Sequence, residues 1–382
     1  MKRLVLLGST GSIGTSTLEV VRRLGSRFRV VALAAGSDAA RLAEQVREFR
    51  PEVVALADPA SARRLPAMLA PGSARVLAGP EGLLEIAALP GVDVVFQATS
   101  GAAGLPATLE AVSRGRTVAL ANKESLVVGG PLLTAAAARS GATLLPVDSE
   151  HSALFQALQA GRRTEVRRLV LTASGGPFLR RDPATLEAVT PEEALRHPRW
   201  NMGRRITVDS ATLMNKALEV IEARWLFDVA PDRIAVTIHP QSIVHSLVEF
   251  RDGSVIAQMG PPDMKVPIQY ALTWPERLES PDGGFRADAF RDLTFEEPDP
   301  RRFPALDLGF AVAAAGGTSG AILNGADEEA VALFLAGRLA FPRIVPTVAA
   351  VLADRPAAEP RTLSDLLEAD AWARAEVRRR VL

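Results

Sequence analysis

The chain has 382 residues, equal numbers of basic (44) and acidic (44) side chains, 48% hydrophobic residues and no cysteine. That length is too great for one small core and predicts two or three domains. Zero net charge offers little to a nucleic acid, and the missing cysteine excludes disulfides, thiolate zinc sites, iron–sulfur clusters and thiol nucleophiles.

The first apolar run, Leu4–Leu7, stops at Gly8 and is too short for a signal segment. A strand there is followed by a helical pattern on Ile13, Leu18, Val21 and Leu24. Strands are then predicted at Val30–Ala34, Val53–Leu56, Val92–Ala98, Thr117–Ala121 and Thr143–Val147. Helices are predicted between them at Asp38–Phe49, Leu105–Arg114 and Leu132–Ser140. This alternation means βαβ units and a parallel sheet, with ligands at the carboxyl ends of its strands.

From about 148 to 274 the pattern is mixed, with an apolar run at Leu169–Thr172 and a helix over Ser210–Phe227. Alternation in Ile234–Ile238, Ser246–Phe250 and Ser254–Met259 predicts antiparallel strands, with Asp252-Gly253 as a hairpin turn. Pro275–Pro304 lacks periodicity and is rich in Pro, Gly, Asp and Glu, so a linker is expected. The remainder is alanine-rich and helical, and Thr362–Asp365 has the form of a capping box. Its longest uncharged stretch, Leu308–Ala326, contains five glycines and does not read as a membrane span. A cytoplasmic protein without a membrane or nucleic-acid partner is expected.

Lysine is rare here, at positions 2, 123, 216 and 265, and asparagine at 122, 201, 215 and 324. Two Asn–Lys pairs result, Asn122-Lys123 and Asn215-Lys216, where chance placement gives about 0.04. A lysine kept in an arginine-using chain supplies a compact point charge that arginine does not reproduce.

Three constellations carry chemistry. Gly8-Ser9-Thr10-Gly11-Ser12-Ile13-Gly14 joins a strand to a helix, where glycines and free N–H groups can hold a pyrophosphate. After the second strand, Asp38 favours NAD and Arg41 favours NADP, and Asp38 can equally cap the next helix, so this stretch leaves the choice open. Asp148-Ser149-Glu150 follows a strand; if extended geometry continues, both carboxylates share one face. Glu219 lies one helical turn from Asn215, and oxygen ligands of this kind suit Mg²⁺ or Mn²⁺. A solvated Glu150 with Asp148 as a helix cap explains the pair equally well. Ser174-Gly175-Gly176 can form an anion nest, with Ser210, Asn215 and Lys216 as further donors. His197 precedes Pro198–Gly203, a loop able to close over a ligand. His239 looks structural, while His151 and His245 stay open.

These motifs, with Ala121-Asn122-Lys123-Glu124, Val147–His151, Thr172–Phe178, Val208–Lys216, Ile238–Ser242 and Gly260–Met264, occur in an order that closely resembles the 1-deoxy-D-xylulose 5-phosphate reductoisomerase family. The resemblance runs through nearly the whole chain. It implies an α/β fold: an N-terminal Rossmann-like parallel sheet at 1–147, a central α+β catalytic domain at 148–274, a linker at 275–304 and a C-terminal helical domain at 305–382. It implies an NADPH-dependent oxidoreductase and isomerase of the non-mevalonate isoprene pathway, usually a homodimer, with one divalent cation (Mg²⁺, Mn²⁺ or Co²⁺). The substrate would be a small phosphorylated sugar, 1-deoxy-D-xylulose 5-phosphate, converted to 2-C-methyl-D-erythritol 4-phosphate.

Carried over residue by residue, Asp148, Glu150 and Glu219 are the metal ligands. With Lys123 they form the catalytic set. Lys123, Ser149, Glu150, Ser174, His197, Trp200, Ser210, Asn215, Lys216 and Glu219 hold the substrate. Thr10, Gly11, Ser12, Ile13, Gly36, Ser37, Asn122, Glu124 and Gly203 bind the cofactor, and Trp200 and Met202 fall in a mobile flap. Two other readings differ in what they ask of these residues. A metal-independent two-domain NAD(P) dehydrogenase leaves Asp148, Glu150 and Glu219 without a shared purpose, and a non-catalytic nucleotide sensor needs only the first domain.

Overall fold

The computed structural model describes residues 1–382 apart from 201, 286 and 289. The backbone divides into two units, one made of Met1–Ser125, Leu133–Asp148 and Met264–Ser280, the other of Leu126–Leu132, Ser149–Asp263 and Pro281–Leu382.

In the first unit the strands are β1 (Lys2–Leu7), β2 (Phe28–Ala35), β3 (Val53–Leu56), β4 (Arg75–Ala78), β5 (Val94–Gln97), β6 (Thr117–Leu120) and β7 (Thr143–Pro146). They pair in parallel in the order β4-β3-β2-β1-β5-β6-β7. Leu4–Leu7 are wholly buried, as an uninterrupted apolar run in a central parallel strand requires. The strands alternate with α1 (Ser12–Leu24), α2 (Ala39–Phe49), α3 (Pro59–Arg64), α4 (Gly79–Ala87), α5 (Leu105–Ser113) and α6 (Lys123–Ser140). A later helix, α11 (Lys265–Thr273), returns to this unit, where Lys265 lies 3.4 Å from Glu19 and Arg27 lies 2.9 Å from Glu276. Strand order reverses between β1 and β5, which opens a crevice at their carboxyl ends.

The expected alternation holds, with two differences. The elements β4, α3 and α4 were not expected: β4 is a four-residue edge strand with no fully buried residue, and its apolar run, Val76-Leu77-Ala78, is only three residues long. Helix α6 begins at Lys123 rather than Leu132 and runs through Gly129-Gly130-Pro131. Buried Leu126, Val127, Val128 and Leu133 fix it by packing, which overrides local propensity.

The second unit contains α7 (Ser149–Ala157), β8 (Val166–Ala173), α8 (Pro191–Ala194), α9 (Arg204–Thr212), α10 (Met214–Phe227), β9 (Ile234–Ile238), β10 (Val244–Phe250) and β11 (Val255–Met259). The four strands form a sheet in the order β11-β10-β8-β9. Strand β10 is antiparallel to both neighbours, and the Asp252-Gly253 turn sits where expected, with Gly253 at φ 88°. The antiparallel expectation for Ile234–Ile238 is wrong: β9 runs parallel to β8. Between them the chain makes a long helical crossover through α8–α10, the connection a parallel pair needs.

The single helix expected over Ser210–Phe227 is two, α9 and α10, broken at Leu213, whose φ is 59°. Hydrophobic periodicity does not register one left-handed residue. The chain ends in α12 (Ala305–Ala315), α13 (Ser319–Leu335), α14 (Ile344–Asp354) and α15 (Leu363–Val381). Thr362 caps α15 as expected, accepting from Asp365 N–H at 3.3 Å. Among the described residues no helix is long and apolar enough to cross a membrane.

Candidate active site

In the first unit the β1–α1 turn is shaped by steric necessity. A Cβ on Gly8 would lie 2.3 Å from Ala98 O, and one on Gly14 would lie 2.2 Å from Gly8 O. Gly8 and Ser9 N–H both donate to Ala34 O at 2.8 Å. Buried Ser9 and Gln45 clasp each other: Ser9 Oγ–H donates to Gln45 Oε1 (2.7 Å) and Gln45 Nε2–H to Ser9 O (2.8 Å). Gly11 N–H donates back to Gly8 O at 3.2 Å and closes the turn, while Gly11 caps α1 with no side-chain bond and no acid stands in the first turn, so the helix N-terminus beside Ser12 and Ile13 suits an anion.

Gly36 and Ser37 follow β2 as expected, and Asp38 caps α2, accepting from Arg41 N–H at 3.0 Å. Asn122 caps α6, accepting from Ser125 N–H at 3.1 Å and donating to Thr99 O, Gly101 O and Glu124 Oε2 at 2.8–3.0 Å. Buried Gln97 serves the same loop, donating to Gly104 O and Thr108 Oγ1 (both 2.9 Å) and accepting from Thr99 N–H (3.1 Å). Sequence reasoning missed Gln97 and Gln45; a lone amide closing the apolar strand Val94–Phe96 was the available signal. At the ends of adjacent strands β6 and β7, Lys123 Nζ lies 2.5 Å from Asp148 Oδ2, both largely buried.

In the second unit, Ser149 and Glu150 open α7 rather than extending a strand, so the shared-face argument for Asp148 and Glu150 does not apply. The first turn of a helix favours an acid. Lys216 Nζ lies 2.9 Å from Glu150 Oε1 and also binds Glu219 Oε2. Asn215 Nδ2 donates to Glu219 Oε1 at 2.6 Å, and Ser149 Oγ–H to Glu150 Oε2 at 2.5 Å. Burial works against the Lys216 ammonium, but the two carboxylates outweigh it and hold its pKa above the ordinary lysine value. His151, fully buried behind them, lies 3.0 Å from Glu219 O and 3.4 Å from Glu222.

The anion nest is next. Gly175 and Gly176 take φ of 83° and 69°, and Gly176 N–H donates to Ser174 Oγ at 3.2 Å. A Cβ on Gly176 would lie 2.5 Å from Ser210 O, so the nest is packed directly on α9. His197 Nδ1 accepts from Arg199 and Trp200 N–H (3.1 and 2.9 Å), and Nε2 lies 3.0 Å from Ser174 Oγ. Two donors on Nδ1 fix the proton on Nε2, so Nε2–H donates to Ser174. Burial lowers this imidazole to about 4 from 6.5, which keeps it neutral. The Trp200 ring stands 6.2 Å from His245, and Gly203 caps α9; Asn201 of the same loop lies outside the described residues. His239 is structural as expected, with Nδ1 bonded to Thr294 O and Nε2 accepting from Ile243 and Val244 N–H.

Three family models match in succession: 1-deoxy-D-xylulose 5-phosphate reductoisomerase over residues 4–130, its C-terminal domain over 144–227, and the DXP reductoisomerase C-terminal domain over 259–376. The chain belongs to the 1-deoxy-D-xylulose 5-phosphate reductoisomerase family. The reductoisomerase of Chlorobaculum tepidum is 52% identical over 378 residues, covering 99% of both chains, and that of Anaeromyxobacter dehalogenans is 51% identical over 381 residues, covering 100% of this chain and 97% of the relative. Among solved reductoisomerases, that of Zymomonas mobilis in complex with NADPH superposes with a TM-score of 0.93 at 42% identity, covering 100% of this chain and 99% of the other. A DOX-P reductoisomerase in complex with NADPH, fosmidomycin and magnesium gives 0.94 at 40%, covering 100% and 98%.

Within each unit the expected residues gather. Thr10–Ile13, Gly36, Ser37, Asn122, Lys123, Glu124 and Asp148 all stand at carboxyl ends of the seven-stranded sheet. Ser149, Glu150, Asn215, Lys216 and Glu219 form one bonded cluster, and Ser174 and His197 another, packed on Ser210.

Proposed function

We propose that this chain isomerises and reduces 1-deoxy-D-xylulose 5-phosphate to 2-C-methyl-D-erythritol 4-phosphate with NADPH and one divalent cation. The observation that carries the reading is the α9–α10 segment, which presents phosphate donors (Ser210, Asn215, Lys216) and a carboxylate (Glu219) within ten residues of one another. Asp148, Glu150 and Glu219 hold the cation. The donor set fits: it is all oxygen, and Glu150 and Glu219 already converge on a single positive charge, the Lys216 ammonium. When bound, the cation supplies a Lewis acid for the ketone and its neighbouring hydroxyl.

The chain's own residues do the rest. Ser174 Oγ accepts from His197 and Gly176, so its hydroxyl proton is free to point at the substrate phosphate. Ser149, Ser210, Asn215 and Lys216 add donors. Gripping the phosphate orients carbons some distance away for reaction. The Gly8–Gly14 turn holds the dinucleotide pyrophosphate through Thr10–Ile13, and Gly36, Ser37, Asn122, Glu124 and Gly203 complete the cofactor contacts. Asp38 is spent on its own helix, which leaves NADPH acceptable. When bound there, NADPH would supply the hydride for the reduction. Lys123, paired with Asp148, sits between cofactor and substrate, and Trp200 closes with its loop to exclude water.

In this reading residues 1–147 serve the cofactor, 148–274 the chemistry and 305–382 support, joined by 275–304, in a cytoplasmic homodimer. The edge strand β11 supports the dimer, since Val255, Ile256 and Met259 are exposed on it. The test follows reduced-nicotinamide absorbance with 1-deoxy-D-xylulose 5-phosphate and Mn²⁺, using NADPH and NADH in parallel. Substrate-dependent oxidation of NADPH, stopped by chelator, by fosmidomycin and by Asp148→Asn, is the expected result. Turnover that persists in metal-free protein with chelator overturns it.

A further inference from the structure

We infer that Arg205 is a positioning residue for the phosphate pocket, held in a buried carboxylate cradle on the C-terminal helices and acting through Ser210. The inference rests on the reading of Ser210 as a phosphate donor.

Helix α9, which carries Ser210, has little to hold it by itself. It is nine residues long, its cap Gly203 makes no side-chain bond, and it ends at left-handed Leu213. Its first turn is basic, with Arg204 and Arg205 where the helix dipole disfavours cations. The compensation comes from α13. Arg205 donates to Asp327 Oδ2 (2.9 and 3.3 Å), Glu328 Oε1 (2.6 Å) and Asn324 Oδ1 (3.0 Å). On α9 itself it lies 3.3 Å from Asp209.

Behind this stands α15. Arg374 reaches Glu328 and Asp370, both at 2.6 Å, and Asn324 Nδ2 donates to Asp370 at 3.1 Å. Asp209 and Asp327 are all but fully buried. Burial raises the Asp327 pKa against the pull of Arg205, while Arg205 and Arg374 outweigh burial at Glu328 and keep that carboxyl low.

Four carboxylates and two guanidiniums are a poor way merely to glue helices, because well-packed apolar side chains of similar volume do as well or better. What this arrangement specifies is the placement of α9. Asp209, gripped with Arg205, immediately precedes Ser210, and the Gly176 backbone is packed on Ser210 O. A shift of α9 therefore displaces the Ser210 hydroxyl and the Ser174–Gly176 nest together.

The experiment is a double-mutant cycle of Arg205→Met and Ser210→Ala in the full chain. It reads kcat, the KM for 1-deoxy-D-xylulose 5-phosphate, inhibition by inorganic phosphate, and NADPH affinity by fluorescence. Arg205→Met is expected to raise KM and the phosphate inhibition constant about 10-fold, leave NADPH affinity unchanged, and add less than about twofold when Ser210 is already alanine. Arg205→Lys is expected to recover part of the loss, and it carries the same cycle if the methionine variant does not fold. Effects of the two single variants that multiply, or NADPH affinity that falls in parallel, overturn the inference alone. If Ser210→Ala leaves KM unchanged, the phosphate reading of Ser210 fails and the inference with it.

Discussion

Lys216 is the side chain on which most of the second unit's chemistry converges. Its ammonium is buried against Glu150 and Glu219, and both carboxylates need a compact charge in that position. Lys216→Arg keeps the charge but not the shape, and kcat/KM is expected to fall by about 10- to 100-fold, the worth of one charged hydrogen bond, with Lys216→Met no better. Steady-state kinetics check this.

His197 yields a pH prediction. Its imidazole takes a proton near pH 6.5 when unfolded but only at about 4 when folded, so the unfolded state binds the extra proton between those values. Native stability from this group is full above pH 6.5 and is lost as pH falls through that window. Nitrogen NMR of labelled protein is expected to show a neutral, Nε2-protonated ring throughout pH 5.5–8, and an imidazolium signal in that range contradicts it.

At this scale much was legible. The rarity of lysine and asparagine singled out Asn122-Lys123 and Asn215-Lys216, and the structure buries Asn122, Lys123 and Lys216. Gln45 was not legible, because it works on the backbone of Ser9, 36 residues away, which only the fold brings close. Gln97 could be read only as a lone amide ending an apolar strand, since its partner Gly104 lies in the loop that follows.

Among the elements, the β1–α1 turn is the least tolerant. Gly14→Ala places a Cβ against Gly8 O, and overpacking of this kind costs about 1–3 kcal/mol. Because the clash opens the turn that presents the α1 N–H groups, NADPH affinity is expected to fall at least ~10-fold, as fluorescence titration can measure. Strands with continuous apolar runs were legible in the sequence, and so was the Asp252-Gly253 hairpin. The direction of β9 was not, since alternation along a strand states which face is buried and nothing about its neighbour's direction. The break at Leu213 was hidden for a related reason: apolar spacing continues across it, and the left-handed residue is paid for by tertiary packing rather than announced by a glycine.

At the scale of the whole molecule, the β11 edge gives a further prediction. On the proposal that the chain forms a homodimer through this edge, Ile256→Lys places a charge on it and is expected to shift sedimentation from dimer toward monomer, with unchanged circular dichroism. A dimer that survives the substitution removes β11 from the interface.

The division of the chain between its units has a consequence for synthesis. The segment 126–132 leaves the first unit inside a continuous helix, and 264–280 returns to it after the second unit has begun. Ile268 and Leu272, both wholly buried, belong to that late segment. On the ribosome, the first unit therefore waits with part of its core unfilled until more than two thirds of the chain has emerged. A gene cut at residue 148 encodes a polypeptide with an uncovered apolar seam, and the boundary that looks natural in a linear domain map is a poor place for a stop codon.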